Sequence, residues 1–245
     1  MKSDNSDDRE VPHTTGSATR RELVKMLPIA FAAGLFVPSW RKKLFAVGLE
    51  WSDRVAQATF RPQQLAPVFA DSELLPLDRF PYNYYLVADP EIDLEGWYLE
   101  VSGAVTRPGR YRVADFARLP KVVQNTRLVC VEGWEAIGNF GGAHLADFLD
   151  FVGADPEAGF VEVDCADDYY QSIDMASARH QQSLLCYEMY GRALDRGHGA
   201  PLRLALPTKL GYKQAKFLTR LKVSRVLGAR RGLWEDQGYD WHGGL

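Results

Sequence analysis

Alternating apolar and polar positions recur along the chain from residue 97 onward, and they predict β-strands because successive strand side chains point to opposite faces. In "WYLEVSGAV", residues 97–105, the alternation ends at the turn signal Arg107-Pro108-Gly109. "NTRLVCVE", residues 125–132, contains a continuous apolar run that indicates a strand buried on both faces. Further strands are predicted in 159–170, 184–191, 201–207 and 217–224.

Helical spacing is confined to short segments. Residues 112–120 predict a helix closed by Pro120. In residues 143–154 apolar side chains repeat at i, i+3, i+4 and i+7, and Gly153 ends the predicted helix. Because strands predominate and no strand–helix period recurs, the sequence predicts a mixed, strand-rich α+β fold rather than a doubly wound sheet.

The first 50 residues follow a different pattern. Residues 1–18 are acidic and rich in serine, which is typical of a disordered tail. Arg20 and Arg21 then precede an apolar run of 13 residues, Met26–Pro38, which is too short to span a bilayer but suits the core of a signal peptide. This arrangement resembles a twin-arginine export signal and predicts a periplasmic protein. Since that route exports folded proteins, it also favours a bound cofactor.

An alternative for the same segment is a basic amphipathic helix that lies against the core or a membrane surface. No clean A-x-A cleavage site follows directly after the apolar run, and three basic residues come soon after it at 41–43, so an uncleaved signal would remain as a membrane anchor. The predicted organisation is a tail at 1–18, a signal or anchor at 19–50, a linker at 51–81 and one domain at 82–245.

Composition excludes several functional classes. The net charge of -3 shows no basic surplus, which argues against a nucleic-acid partner. The three cysteines form no C-x-x-C pair, and the five histidines show no metal-ligand spacing. The sequence has no phosphate-binding loop, no dinucleotide fingerprint and no haem motif C-x-x-C-H. Any chemistry must therefore rest on a less common motif.

Cys130 is the candidate for that chemistry, because it ends an apolar strand and is followed by Glu132 and Trp134. Taken alone, the stretch fits a buried core thiol as well as a functional one. The order of five motifs along the chain favours the functional interpretation. These motifs are "RLVCVEGW", "DDYYQSIDM", "HGAPLRL", "GYKQAK" and "GLWEDQGYDW". From about Tyr82 onward the chain resembles the sulfite oxidase family of molybdopterin-dependent oxidoreductases. It is most similar to the bacterial periplasmic branch that includes a methionine sulfoxide reductase catalytic subunit.

The resemblance implies that Cys130 is the protein ligand of one molybdenum per chain, a role that suits a soft thiolate donor. It also implies that Glu132 and Trp134 lie beside the metal and that Tyr169 is the active-site tyrosine. Lys209 is expected on a solvated face. The molybdopterin contacts implied by the family are Asn83, Tyr84, Tyr85, Cys165, His198, Arg203, Lys213, Gln214, Ala215 and Lys216.

Two departures from the family bear on the substrate. Val87 and Glu135 stand where sulfite-oxidising members carry arginines, and a lost bidentate arginine removes charge-assisted hydrogen bonds to a dianion. The resemblance implies two-electron oxygen-atom transfer to or from a small molecule, and the two departures favour reduction of a sulfoxide over oxidation of sulfite. A sulfite dehydrogenase, a cofactor-binding protein without turnover and an exported module with Cys130 in its core remain alternatives. Without haem, a separate redox partner is expected, either a membrane cytochrome b-type subunit or a soluble cytochrome.

Overall fold

The computed structural model describes residues 61, 63–82 and 89–245, together with Trp51 and Val55. These residues belong to one compact unit, Leu49–Leu245. The predicted tail and export signal lie outside the described residues, as do the predicted cofactor contacts at 83–85 and Val87. Within the described part, no helix combines the length and the apolar character needed to cross a membrane.

Ten strands in the described residues form two sheets of five. The first sheet has the order β2-β1-β10-β5-β6, and the second has the order β3-β4-β7-β8 with β9 paired to β7. The strands are β1 Leu99–Gly103, β2 Gly109–Tyr111, β3 Lys121–Val129, β4 Glu135–His144, β5 Phe160–Cys165, β6 Tyr170–Asp174, β7 Leu184–Met189, β8 Arg192–Ala193, β9 Arg203–Ala205 and β10 Leu218–Ser224.

The pairing is antiparallel except between β1 and β10, which run parallel with Val101 opposite Leu221. The helices are short, as the sequence predicts. The α-helices among the described residues are Val113–Phe116, Leu145–Phe151 and Met175–Ala178, and the 3-10 helices are Asp71–Glu73, Leu77–Arg79, Gly211–Lys213 and Glu235–Gln237. The predicted strand-rich α+β class is confirmed.

The main core lies against the first sheet. Alternate residues of β1 and β5, such as Val101 and Val163, are buried there with the apolar face of the helix Leu145–Phe151. Phe148 of that helix packs edge-on against Phe116, with 4.9 Å between ring centroids. A second apolar cluster lies against β4 and β7 and includes Phe80 and Phe140.

The sequence patterns missed β4, the longest strand described. Its segment "EAIGNFGGAH" is rich in glycine, which weakens a strand prediction. The structure gives two of these glycines a packing reason. A Cβ at Gly142 would clash with the carbonyl oxygen of Leu185 in β7, and one at Gly138 would lie 2.6 Å from Cε2 of Phe80. Glycine is therefore required at these two positions, because β7 and the Phe80 ring approach the backbone of β4 closely.

The prediction for residues 125–132 was partly wrong. The strand begins earlier, at Lys121, and ends at Val129, one residue before Cys130. It is not buried on both faces: Thr126 and Leu128 are buried, whereas Val123 is exposed. The burial thus alternates, because β3 covers the core with one face only.

Part of the predicted linker packs along the second sheet. The N–H of Phe69 donates to the carbonyl of Asn125 (3.1 Å), and the N–H of Leu75 donates to the carbonyl of Ile137 (3.0 Å). Phe80 is buried beside Phe140, with 6.0 Å between ring centroids. Residues 63–82 are therefore held to the sheet by both hydrogen bonds and apolar contacts.

Candidate active site

A tight turn places Cys130 at the end of the β3–β4 hairpin, where Val129 pairs with Glu135 across the strands. The N–H of Cys130 donates to the carbonyl of Trp134 (2.9 Å), and the N–H of Gly133 donates to the carbonyl of Cys130 (3.2 Å). Gly133 has a φ of 90°, a left-handed conformation that glycine adopts without strain. The backbone of Cys130 is thus fixed in both directions.

A carboxylate lies beside the thiol. The Cys130 Sγ is 3.8 Å from Oε2 of Glu132, and the indole N–H of Trp134 donates to the same oxygen over 3.1 Å. Partial burial raises the pKa of the Cys130 thiol above its ordinary value. A bound metal ion acts in the opposite direction, because it deprotonates a coordinating thiol.

Cys130 lines a cavity of about 720 Å³. The cavity is bounded by the hairpin turn, by residues after β5, by β9, by the segment 211–216 and by the C-terminal segment. It brings together eight residues singled out in the sequence. These are Cys130, Glu132, Trp134, Tyr169, Arg203, Gln214, Ala215 and Lys216.

Two cations line this cavity, Arg203, which is buried, and Lys216, which is partly buried. Arg203 is only 4% exposed, and its guanidinium donates to the carbonyls of His198 (3.1 Å) and Leu204 (3.3 Å). Within the described part of the chain, Arg203 forms no ion pair with a carboxylate, and burial lowers its pKa. Lys216 donates to the carbonyl of Gly197 (3.0 Å), and burial together with the charge of Arg203 lowers its pKa to about 8.

Tyr169 and Asp167 line the cavity from the turn between β5 and β6. The Tyr169 hydroxyl donates to the carbonyl of Tyr212 (2.6 Å), and burial raises its pKa well above the ordinary range. The hydroxyl therefore stays protonated near neutral pH. Burial also raises the pKa of Asp167, so the charged form of this carboxyl is disfavoured.

Comparison with known proteins assigns the fold to a family. Residues 86–229, more than half of the chain, match the family model described as the oxidoreductase molybdopterin binding domain. The chain belongs to this family. The resemblance to the sulfite oxidase family is thereby confirmed, and the chain is a molybdopterin-binding oxidoreductase domain.

Similarity to individual members extends beyond the matched segment. The chain is 44% identical over 187 residues to a protein of Azospira oryzae named as a candidate protein-methionine-sulfoxide reductase subunit, YedZ1, covering 76% of this chain and 70% of that protein. It is 30% identical over 205 residues to the sulfite oxidase of Arabidopsis thaliana, covering 69% of this chain and 52% of the relative.

A more distant relative is the protein-methionine-sulfoxide reductase catalytic subunit MsrP of Pseudomonas syringae pv. tomato. It is 28% identical over 147 residues, which cover 53% of this chain and 44% of MsrP. The chain thus spans about half the length of the sulfite oxidase and less of MsrP. The crystal structure of the sulfane dehydrogenase SoxCD from Paracoccus pantotrophus shares the fold, with a TM-score of 0.52 and 21% identity over 56% of this chain and 40% of that one.

The residues of the cavity fit the cofactor of the molybdopterin-binding family. Cys130 is the cysteine among the described residues that line the cavity. The described residues contain no cluster of three or more His, Cys, Asp or Glu side chains that could hold a metal ion by themselves. A metal held here therefore needs donors from outside the protein, which a dithiolene provides. Arg203 and Lys216 are cations suited to the anionic phosphate of a pterin.

Three positions carried over from the family do not line the cavity. His198 is buried behind Arg203, with Nδ1 2.7 Å from Asp195. The Cys165 side chain lies in the main core, where burial raises its pKa. The Lys213 ammonium binds the Glu235 carboxylate and the Ser172 carbonyl (2.9 Å). The structure thus gives these side chains packing and ion-pair partners rather than a place on the cavity wall.

The prediction that Lys209 lies on a solvated face is wrong. Lys209 is buried, 3.7 Å from the Asp174 carboxylate and 3.1 Å from the ring nitrogens of His242. Burial lowers its pKa to about 8. Sequence alone suggested solvent because lysine is seldom buried without a partner, and both partners here are distant in the chain.

Glu135 also differs from the expectation. Its carboxylate pairs with Arg127 at 3.0 Å and lines a second cavity, of about 680 Å³, that contains Val129 rather than Cys130. The expectation that Glu135 faces the substrate in place of an arginine therefore loses its structural basis. Val129 is the last residue of β3 and Cys130 is the first residue of the turn, and the two line different cavities.

The sequence analysis did not single out three further aromatic residues of the cavity wall. Tyr212, Trp234 and Tyr239 all line it. Tyr212 stands inside the quoted motif "GYKQAK", and the other two stand in "GLWEDQGYDW", where the density of aromatic residues was the available signal.

Proposed function

We propose that this domain is the catalytic part of an exported enzyme that reduces a neutral sulfoxide, with Cys130 as the protein ligand of molybdenum. The observation that carries the proposal is one cavity that joins a backbone-fixed thiol to a buried cation, Arg203, and a partly buried one, Lys216. A buried cation without a carboxylate, such as Arg203, is costly unless an anion binds it. The cavity therefore suits a negatively charged cofactor that also needs a soft sulfur donor.

The chain's residues then have distinct roles. Arg203 and Lys216 bind the anionic end of the cofactor, while Cys130 donates its thiolate to the metal. Glu132, held by the Trp134 indole, places negative charge beside the thiol and disfavours anionic substrates. Tyr169 is fixed by its hydrogen bond to Tyr212 and closes the cavity without losing its proton. When bound, the molybdenum cofactor supplies two-electron oxygen-atom transfer.

The reaction also requires electrons and protons. Reduction of a sulfoxide to a sulfide and water consumes two electrons and two protons, and the sequence carries no haem-attachment motif C-x-x-C-H through which they could enter. We infer that a membrane cytochrome b-type subunit or a soluble cytochrome supplies the electrons. The similarity to proteins named as subunits of protein-methionine-sulfoxide reductases supports a separate partner.

Oxidation of sulfite is the second candidate. The ion pair between Glu135 and Arg127 favours it, because Glu135 no longer counts against an anion in the Cys130 cavity. The 30% identity to a plant sulfite oxidase also favours it. The carboxylate of Glu132 beside the thiol keeps the neutral sulfoxide as the first choice.

The site is tested by comparing Cys130→Ser with Cys186→Ser in protein purified with its signal segment and cofactor. Cys130→Ser replaces a soft thiolate with a hydroxyl that stays protonated near neutral pH. We expect it to fold and to retain some pterin, but to lose the thiolate-to-metal absorption and nearly all turnover. Cys186 is fully buried in β7, so Cys186→Ser should cost about 1 kcal/mol of stability and leave the spectrum unchanged.

Metal analysis and assays with a reduced dye complete the test. Wild-type protein should hold about one molybdenum per chain and reduce sulfoxides faster than it oxidises sulfite. Equal spectra and activity in wild type and Cys130→Ser would show that Cys130 is a core residue. Molybdenum without turnover on either substrate would instead indicate a cofactor-binding protein.

A further inference from the structure

An aromatic wall stands beside the thiol in the Cys130 cavity. It consists of Tyr212, Trp234 and Tyr239, which all line the cavity. The Tyr239 ring lies 5.6 Å from Tyr212 and 5.4 Å from Trp234, measured between ring centroids. The wall begins close to the hairpin turn, because Gly211, which precedes Tyr212, packs so that a Cβ there would lie 3.6 Å from Cα of Cys130.

The wall is held rigidly from behind. The carbonyl of Trp234 accepts hydrogen bonds from the N–H groups of Gln237 (3.0 Å) and Tyr239 (3.1 Å), which close a turn between the two aromatic residues. The Tyr212 hydroxyl donates to the carbonyl of Asp240 (2.7 Å). The backbone of the turn, the Tyr212 side chain and the mutual ring contacts thus hold the wall in place, and such a preorganised surface loses little conformational entropy on binding.

The wall carries no formal charge, and part of it remains accessible. Tyr239 is 42% exposed, and exposed Val131 lines the same cavity from the hairpin turn. The two cations of the cavity, buried Arg203 and partly buried Lys216, are both hydrogen-bonded to backbone carbonyls. An approaching molecule thus meets aromatic and aliphatic surface next to the thiol. Sulfur and carbon groups gain from contact with aromatic rings, whereas a small hydrated anion does not.

We propose that the aromatic wall, through Tyr239 and Trp234, binds the carbon substituents of an organic sulfoxide and so selects it over small inorganic anions. This inference rests on the proposed function, and it assigns the choice of substrate to residues of the C-terminal segment. It requires that larger apolar substituents gain more from the wall than methyl groups do, because they cover more ring surface.

The test uses cofactor-loaded protein and two probes, methyl phenyl sulfoxide and dimethyl sulfoxide. Tyr239→Ala should raise KM for methyl phenyl sulfoxide by about fivefold, and KM for dimethyl sulfoxide by less than about twofold. The value of kcat should stay within about twofold for both probes, because the wall contacts the substituents and not the reacting oxygen. Trp234→Ala should show the same division.

Two variants serve as controls. Tyr239→Phe keeps the ring and removes the hydroxyl, so it should behave as wild type for both probes. Tyr98→Ala removes a tyrosine that stacks under Arg110 outside the cavity, and it should leave both KM values unchanged. Equal changes for the two probes, no change in Tyr239→Ala, or a loss in Tyr239→Phe as large as in Tyr239→Ala would each overturn the assignment.

Calorimetric binding of methyl phenyl sulfone, an inert analogue, separates this inference from the proposed function. If wild type reduces both sulfoxides but Tyr239→Ala keeps full affinity for the sulfone, the wall is not the selective element, although the function stands. If wild type turns over neither probe, the proposed function fails. In that case, sulfone binding that is present in wild type and lost in Tyr239→Ala would still support the aromatic wall as a binding site. If wild type does not bind the sulfone either, the proposal for the wall also fails.

Discussion

The buried ion pair between Lys213 and Glu235 offers the sharpest test of how the cavity is supported. Both side chains are 1% exposed. Lys213 also donates to the carbonyl of Ser172 (2.9 Å), and the second oxygen of Glu235 has no hydrogen-bond partner among the described residues. Burial lowers the pKa of Lys213 and raises the pKa of Glu235, so each charge depends on the other.

Removing one partner should therefore cost much more than removing both. Glu235→Gln leaves a buried ammonium without its counter-charge, which should lower the free energy of unfolding by about 3 to 5 kcal/mol. Lys213→Met should have a similar effect through the stranded carboxylate. The double variant Lys213→Met/Glu235→Leu replaces the pair with apolar groups and should recover most of that loss, because a buried pair is often worth no more than apolar residues of similar volume.

Urea unfolding at neutral pH, followed by circular dichroism, measures these differences. Arg179→Met is a suitable control, since its ion pair with Asp150 lies at the surface and should contribute less than about 1 kcal/mol. A loss in Glu235→Gln as small as in the control, or a double variant as unstable as the single ones, would refute the argument. Molybdenum content adds a second readout: a stable double variant that has lost its cofactor would restore Lys213 as a direct cofactor contact.

Three further predictions follow from other groups. Arg203→Met should lower molybdenum content severalfold, measured by elemental analysis, with little loss of folding stability, because it removes a buried cation that has no carboxylate partner among the described residues; a large loss of stability at full cofactor content would indicate a structural role instead. Burial alone would raise the pKa of Asp174, but a hydrogen bond from His242 and the charge of Lys209 hold this pKa below its usual value. The Asp174 carboxylate therefore stabilises the fold above about pH 4 and loses this effect as the pH falls further; Asp174→Asn should be less stable at neutral pH but lose less stability on acidification, and identical acid titrations by circular dichroism would contradict this. Changing Arg20 and Arg21 to Lys should block export at constant charge, and normal periplasmic levels in cell fractions would argue against a twin-arginine signal.

Strand positions were predictable where one face is buried and the other is not. The alternation around Val101, Val163 and Leu221 appears both in the sequence and in the burial of β1, β5 and β10. β4 was not predicted because two of its glycines make room for the Phe80 ring and for β7, and those contacts form only in the folded chain. Gly138 and Gly142 have the composition of a turn but the environment of a strand.

The candidate site was predictable where a motif stays in one continuous stretch. Cys130 and Glu132 share a single hairpin turn, so the sequence places them together. Lys213 and Lys216 stand three residues apart in an irregular segment, and only the fold decides that Lys216 reaches the cavity while Lys213 binds Glu235. Trp234 and Tyr239 come from the far end of the chain, and no local pattern shows which wall they join.

Val129 and Cys130 line different cavities, so the position of the thiol depends on the register of the β3–β4 hairpin. Leu128 and Cys130 reach one cavity and Val129 reaches the other. A slip of one residue in the pairing of β3 with β4 would therefore present Val129 to the cofactor cavity and turn the Cys130 thiol toward the second cavity. Engineered insertions or deletions in β3 should accordingly be tolerated in even steps and fail in odd ones, even where every residue of the motif is kept.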